Sequence, residues 1–381
     1  MINRYLSSLL KRSKKSILLL GPRQTGKSTL IRGLVPELHI NLAHEATYLE
    51  FSRNPRELEE RLASAKFKTV FIDEVQRLPS LLNTIQVLLD EKDSEIKFYL
   101  TGSSARKLKR GRANLLPGRL HSYFLGPLTA SELDYQMDTK QVLATGALPG
   151  IWAEPDLREK QKTLASYAAT YLKEEIQAEA LTRNMEGFSR FLFVVAAEAG
   201  KFLDLSKLSS QAGIARQSAV RYFEILEDTL VLRRSEPFRK SERRRLVQSP
   251  RFFFFDTGVL NGLLGNFIPS QDRIGSLFEH LVFNQIVHSA SAKDKAVRVS
   301  SYRTEHGAEV DFIVEWEGEV IAIEVKASTN IGKFDLRGLK SFAEYYKKKH
   351  RPVIVYLGSA SKVIEGVHVL PWQVFLKEAG F

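Results

Sequence analysis

Cysteine is absent from all 381 residues. Its absence excludes disulfides and cysteine-ligated metal sites, and gives no support to secretion while leaving the redox compartment open. Long apolar runs are missing too: no stretch approaches the roughly 20 residues needed to cross a bilayer. At the N-terminus only Leu6, Leu9 and Leu10 form an apolar stripe, ahead of Lys11, Arg12, Lys14 and Lys15. That is no signal peptide; it predicts an amphipathic helix packed on the domain that follows. Acidic residues are the third shortage, with 44 Asp and Glu against 56 Lys and Arg, a formal net charge of +12 and a pI near 9.6. Such an excess favours a polyanionic partner or a membrane surface. Without an anchoring helix the membrane is the weaker choice, and no membrane partner is expected. These bounds describe a cytoplasmic chain of two to three domains, each able to bury its own core.

What the chain does have begins at residue 21. Gly21-Pro22-Arg23-Gln24-Thr25-Gly26-Lys27-Ser28-Thr29 is a complete G-x-x-x-x-G-K-[ST] phosphate loop. It follows the apolar run Ile17 to Leu20 and precedes the helix-compatible stretch Leu30 to Leu34. Gly21 and Gly26 would let the backbone curl so that its N–H groups face phosphate oxygens. Lys27 would sit on the β- and γ-phosphates, and the Ser28 hydroxyl would complete the shell of a bound Mg²⁺. Downstream, Thr69-Val70-Phe71-Ile72-Asp73-Glu74 reads as a buried strand ending in two carboxylates. Asp73 is the candidate Mg²⁺ partner, and Glu74 the candidate that orients or deprotonates the attacking water. A third strand, Ile96 to Leu100, runs into Thr101-Gly102-Ser103-Ser104, where small hydroxyls would meet the γ-phosphate. Thr101 and Ser103 are equal candidates for that sensing position.

With these motifs in place, residues 1–140 resemble an AAA+ ATPase core. The resemblance implies ATP as cofactor and an arginine, ahead of the last core strand, that reaches a neighbouring subunit's nucleotide. Pro117-Gly118-Arg119-Leu120 matches that place, so Arg119 is the finger candidate, and the ATPase is expected to work as a homo-oligomer, in all expectation a ring.

Residues 141–250 are expected to be helical, with a winged-helix segment. Leu205, Leu208 and Ile214 bracket a turn at Ala212-Gly213, and Val220, Phe223 and Leu226 give a second helix its apolar face. Gln217, Ser218 and Arg221 would project from the exposed half of that helix, with Val231 to Arg234 and the basic cluster Arg239, Lys240, Arg243, Arg244 and Arg245 as a wing over phosphates. A second basic cluster comprises Arg106, Lys107, Lys109, Arg110 and Arg112. DNA is the partner these features favour.

Residues 251–381 carry a second constellation. Gly275 to Phe283 reads as an apolar-striped helix bearing Glu279. Glu309 to Val314 alternates as a strand, a turn at Glu317-Gly318 reverses the chain, and Val320 to Lys326 alternates back. Period two puts Glu309 and Asp311 on one side and Glu324 and Lys326 on one face, so the hairpin can converge Asp311, Glu324 and Lys326. This D…E-x-K set is similar to the PD-(D/E)xK nuclease fold. The resemblance implies Asp311 and Glu324 as Mg²⁺ ligands, Lys326 as the cation that positions the attacking water, Glu279 as completing the shell, and Glu309 as an alternate ligand.

Taken whole, the chain resembles a group of prokaryotic AAA+ ATPases that join the motor to a winged-helix segment and a C-terminal restriction-endonuclease-like domain. The fold class implied is α/β: a P-loop NTPase parallel sheet with helices on both faces, a helical and winged-helix middle, and an α/β nuclease-like end. The function implied is ATP-driven translocation or remodelling of DNA, branched DNA included. The competing reading is a slow ATP switch whose C-terminal domain binds a protein or DNA without cutting it.

Overall fold

A computed structural model describes residues 2–91, 95–103, 118–167, 184–238, 246 and 249–381. The chain divides into two compact units. One comprises Met1–Gly126 with Leu226–Val231 and Ser291–Asp294, the other Pro127–Ile225, Leu232–Ala290 and Lys295–Phe381.

The first unit runs α1 (Tyr5–Arg12), β1 (Ser16–Leu20), α2 (Lys27–Arg32), β2 (Leu38–Asn41), α3 (Glu45–Arg53), α4 (Glu57–Ala63), β3 (Thr69–Asp73), α5 (Leu81–Asp90), β4 (Lys97–Gly102) and β5 (Leu120–Phe124). Its five strands are all parallel, in the order β2-β3-β4-β1-β5. Parallel strands need both faces covered, and their apolar runs follow from that. Leu18, Val70, Ile72, Phe98 and Leu100 pack to one side with residues of α3, α4 and α5. The intervening Ile17, Leu19, Phe71 and Tyr99 pack to the other with Leu6 and Leu10 of α1 and Ile31 of α2. The expected N-terminal amphipathic helix is therefore α1, with Leu6 and Leu10 fully buried.

In the second unit the helices come first: α6 (Thr139–Thr145), α7 (Pro149–Ala153), α8 (Leu157–Ser166), α9 (Met185–Ala197), α10 (Leu205–Ala212) and α11 (Arg216–Asp228). Side chains of Asp138, Asp156, Asn184 and Asp204 cap α6, α8, α9 and α10 by accepting free N–H groups of the first turn. The remainder is β6 (Leu232–Pro237), β7 (Arg251–Phe254), α12 (Thr257–Leu264), α13 (Ile274–Ala292), β8 (Val297–Arg303), β9 (Glu309–Trp316), β10 (Glu319–Lys326), α14 (Arg337–Tyr346), β11 (Arg351–Tyr356), β12 (Lys362–Ile364), β13 (Val367–Pro371) and α15 (Trp372–Glu378). The eight strands form one mixed sheet, β12-β13-β11-β10-β9-β8-β6-β7.

Two expectations are met locally. The turn at Ala212-Gly213 lies between α10 and α11, with Gly213 in the left-handed region at φ 62°. The Glu317-Gly318 turn, both residues at positive φ, joins β9 and β10 as an antiparallel hairpin. β6 pairs antiparallel with β7, the next strand along the chain, and its last two residues also pair parallel with β8, which joins it to the large sheet. Residues 239–245 of the proposed wing lie outside the described residues, as does the basic cluster from Arg106 to Arg112.

Candidate functional site

The phosphate loop leaves the C-terminal end of β1, the sheet edge where β3 and β4 also end. Gly21 is required by packing: a Cβ there would lie 2.2 Å from the Leu125 carbonyl oxygen, whereas Gly26 is required by its φ of 90°. Gln24 also adopts positive φ, at 60°. Thr25 closes the loop internally, its hydroxyl donating to the Pro22 carbonyl at 2.8 Å. The loop is strapped from outside by Arg4, a residue the motif gives no hint of. Its guanidinium donates to the carbonyls of Thr25 (3.0 Å) and Gly126 (2.8 Å) from a site 8% exposed.

Lys27 is buried at the start of α2, its ammonium donating to the Gly21 and Pro22 carbonyls, each at 2.9 Å. Ser28 Oγ donates to Asp73 Oδ1 at 2.9 Å. Thr101 Oγ1 donates to that same oxygen and accepts from the Glu74 N–H at 3.2 Å. Ser103 instead lies against Glu74, its hydroxyl 3.4 Å from Oε2. The two hydroxyls that sequence could not separate thus serve different carboxylates. Between them sits Gln76, buried and unforeseen, whose Nε2 donates to Glu74 Oε2 and to Ser103 Oγ at 3.0 Å. Glu74 itself is held at φ 58°, a left-handed conformation that costs a non-glycine residue about 1 kcal/mol or more and that turns the chain out of β3. Hard oxygen donors from Ser28 and Asp73 at one point would suit a divalent cation such as Mg²⁺.

Arg119 is not brought to this edge. It precedes β5, whose Leu120 lies beside Ser16 at the start of β1, while the loop follows Leu20. Five residues of strand, roughly 16 Å, separate the two ends. Arg119 makes a two-pronged pair with Asp90, at 2.5 and 2.8 Å.

In the second unit the hairpin does converge its acids. One step beyond the Phe312–Ile323 pair, Asp311 faces Glu324, and Asp311 Oδ2 accepts from the Val325 N–H at 2.8 Å. Lys326 Nζ donates to Glu324 Oε1 at 2.7 Å. Glu279, on α13, joins through a residue not foreseen, Arg251. This arginine heads β7, donates to Glu279 Oε2, lies 3.4 Å from Asp311 Oδ1, and donates through Nε to the Gly200 carbonyl at 2.6 Å. Burial pushes Glu279 up to about 7 and Glu324 up to about 8, the Asp311 charge adding to both, while Arg251 and Lys326 oppose the shift. Burial also works against the Arg251 charge, but Glu279 and Asp311 more than offset it and raise its pKa. Glu309 stands to the side, 3.6 Å from Arg303.

The cluster does not fit the expected Mg²⁺ shell of Glu279, Asp311 and Glu324. A guanidinium lies between two of the three carboxylates and an ammonium on the third. Among the described residues no group of three or more acidic or histidine side chains is arranged to hold a metal.

On α11, Gln217 and Arg221 are exposed and Ser218 is half-buried, with Ala219, Tyr222 and Phe223 facing inward. Arg243, Arg244 and Arg245 lie outside the described residues. Behind β7, Asp256 caps α12 and reaches back to the Ala147 N–H, with burial raising its carboxyl to about 6. His280 Nε2 accepts from the Phe254 N–H, and burial, reinforced by Arg251, lowers it to about 3.

Residues 13–134 match the family model of an AAA domain. The first unit therefore carries an AAA-type, nucleotide-binding ATPase domain. Residues 136–269 and 274–375 match two further models, both described as domains of unknown function (DUF8612 and DUF4143). An uncharacterised protein of Mycobacterium tuberculosis is 27% identical over 322 residues, covering 82% of this chain and 70% of that protein. Among solved structures, Pif1 helicases unwinding forked double-stranded DNA align at TM-score 0.25 and 14% identity, over 47% of this chain and 56% of that one. The replication initiator DnaA, bound to AMPPCP and single-stranded DNA, aligns at TM-score 0.27 and 11% identity, over 58% and 85%. At such scores the superpositions carry no argument; the P-loop NTPase character rests on the parallel sheet and the family match. No helix among the described residues is long and apolar enough to cross a membrane.

Proposed function

We propose that the chain hydrolyses ATP with Mg²⁺ and uses the cycle to move or remodel DNA. The observation that carries the ATPase part is the meeting of Lys27, Ser28, Asp73 and Thr101 at one sheet edge, with Ser28 Oγ 2.9 Å from Asp73. In this reading Gly21 to Thr29 cradle the triphosphate, Lys27 leaves its two carbonyls for the β- and γ-oxygens, and Ser28 and Asp73 hold the cation. A cation held there would supply charge that offsets the transferring phosphoryl group. Glu74 orients the attacking water, and the hydrogen bonds from Gln76 and Ser103 fix where that carboxylate points. Thr101 reports through Asp73. Arg119 lies about a strand's length from its own loop, so a role at phosphate belongs to the site of a neighbouring copy in a ring.

The DNA part is supported by the net charge and by Gln217 and Arg221, exposed on α11 with Ser218 half-buried beside them, and the proposal takes Arg243 to Arg245 as further phosphate contacts. The organisation proposed is an ATPase core at 1–140, a helical and winged-helix part at 141–250, and a nuclease-like part at 251–381.

The pairing of Arg251 with Glu279 and Asp311 favours a second reading, a nucleotide-dependent switch whose C-terminal part binds DNA or protein without cutting. ATP turnover in Mg²⁺ measured with no DNA, single strands, duplex and a four-way junction, at two salt concentrations, separates them. Stimulation by one form that weakens with salt supports the DNA motor. Flat, slow turnover throughout rejects it in favour of the switch.

A further inference from the structure

The acidic cluster of the second unit resembles a metal site in its residue types and differs from one in its neighbours. We propose that Arg251, with Lys326, takes the place of the divalent cation, so that the cluster is a closed, metal-free ion network and the domain binds its partner without Mg²⁺-dependent cleavage. This deepens the nuclease-like reading of residues 251–381 and rests on it.

Arg251 is anchored on three sides. Its guanidinium donates to Glu279 Oε2 and the Gly200 carbonyl and lies 3.4 Å from Asp311 Oδ1. It lies over the rings of Phe253 and Phe312, 5.3 and 5.7 Å from their centroids. At 5% exposure it has no way out to solvent without breaking these contacts. Asp311 is committed on its other oxygen to the Val325 N–H. Glu324 Oε1 is committed to Lys326, and its buried Oε2 has no hydrogen-bond partner. That oxygen faces α14, whose Gly338 sits so close to β9 that a Cβ would fall 1.8 Å from the Glu309 carbonyl oxygen. A bound Mg²⁺ demands near-ideal octahedral oxygen geometry and keeps several waters. The two side-chain cations bring the two positive charges such an ion would bring, and each already lies on one or more of the carboxylates it would need.

Ejecting the guanidinium would strand the Gly200 carbonyl and leave a cation among aromatic rings, so an entering ion does not compete on equal terms. The expected geometry of a D…E-x-K hairpin is thus present, and an arginine from a distant strand has closed it.

The test is Mn²⁺ uptake by the full chain without nucleotide, read from the free-ion EPR signal, which keeps the phosphate-loop site out of the measurement. Wild type and Asp311→Asn are expected to be indistinguishable, with no site tighter than about 1 mM. Arg251→Gln, checked for native circular dichroism, is expected to gain one Mn²⁺ with roughly tenfold or greater tightening, lost again in Arg251→Gln/Asp311→Asn. One Mn²⁺ bound by wild type and lost in Asp311→Asn overturns the proposal, and does so whether or not the Arg251 variant folds. A folded Arg251→Gln that gains no ion overturns it as well. DNA binding by wild type, measured in parallel by gel shift in EDTA, tests the underlying reading separately: its absence removes the nucleic-acid role and leaves the ion result standing.

Discussion

Arg4→Met isolates the strap on the phosphate loop, because methionine keeps the buried apolar stem and removes the donors. The wild-type guanidinium makes two hydrogen bonds to carbonyls, those of Thr25 and Gly126, from a site 8% exposed. Hydrogen bonds from a charged donor contribute about 1.5 to 3 kcal/mol each, so the lower figure for both gives about 3 kcal/mol lost. The variant also leaves two carbonyls short of partners in a buried place, which keeps that figure a lower bound. Thr25 lies inside the loop, so part of this energy maintains the shape that receives phosphate. If about half of it does, the dissociation constant for ATP rises about tenfold, the equivalent of about 1.4 kcal/mol. A fluorescent-nucleotide titration reads that rise, and urea unfolding of the same protein reads the loss of stability. A dissociation constant within twofold of wild type, together with an unchanged urea midpoint, refutes the strap.

Glu74→Gln should keep nucleotide affinity and lower the turnover number by about 100-fold to 10,000-fold, since the carboxylate acts on the water and not on the phosphates; a rapid-quench ATPase assay checks it. Arg119→Ala removes an exposed pair with Asp90, so melting should stay at the wild-type temperature while turnover falls, and mixing with Lys27→Ala subunits should restore part of it if the arginine acts on a neighbour. Asp256 has a folded-state pKa of about 6 against an ordinary 3.8, so its contribution to stability is fully present below pH 3.8 and is lost as pH rises through 6. The advantage of wild type over Asp256→Asn in urea unfolding should shrink by about 2 kcal/mol between pH 4 and pH 7, since each pH unit separating the two pKa values is worth about 1.4 kcal/mol and the unfolded carboxyl is already partly ionised at pH 4. An advantage that stays constant or grows contradicts the burial argument.

Local pattern carried most of what sequence could say. The phosphate loop, the Asp73-Glu74 strand and the Thr101 strand end were legible because each motif states its chemistry in adjacent residues. The β9–β10 hairpin was legible because alternation and a Glu-Gly turn fix its register. What stayed hidden depends on distance along the chain. Arg4 meets Thr25 and Gly126 only after α1 folds back on the sheet. Gln76 looked like any residue after a Walker B strand, yet it is the donor that holds Glu74. Arg251 did offer one signal: it heads the run Phe252 to Phe255, and an arginine leading a buried strand has nowhere to put its charge except onto a carboxylate. Glu279 and Asp311 were the acids waiting for it. The pairing of β6 with β8 stayed hidden for a related reason, since contacts between residues more than sixty positions apart leave no mark in either strand.

ATP turnover by the purified full chain in Mg²⁺, wild type beside Lys27→Ala, tests the central claim most directly. Lys27 donates to the Gly21 and Pro22 carbonyls of its own loop, so the variant should fold, with wild-type circular dichroism, and release no phosphate above background. A folded Lys27→Ala protein that turns over ATP at the wild-type rate contradicts the assignment of this loop as the catalytic site.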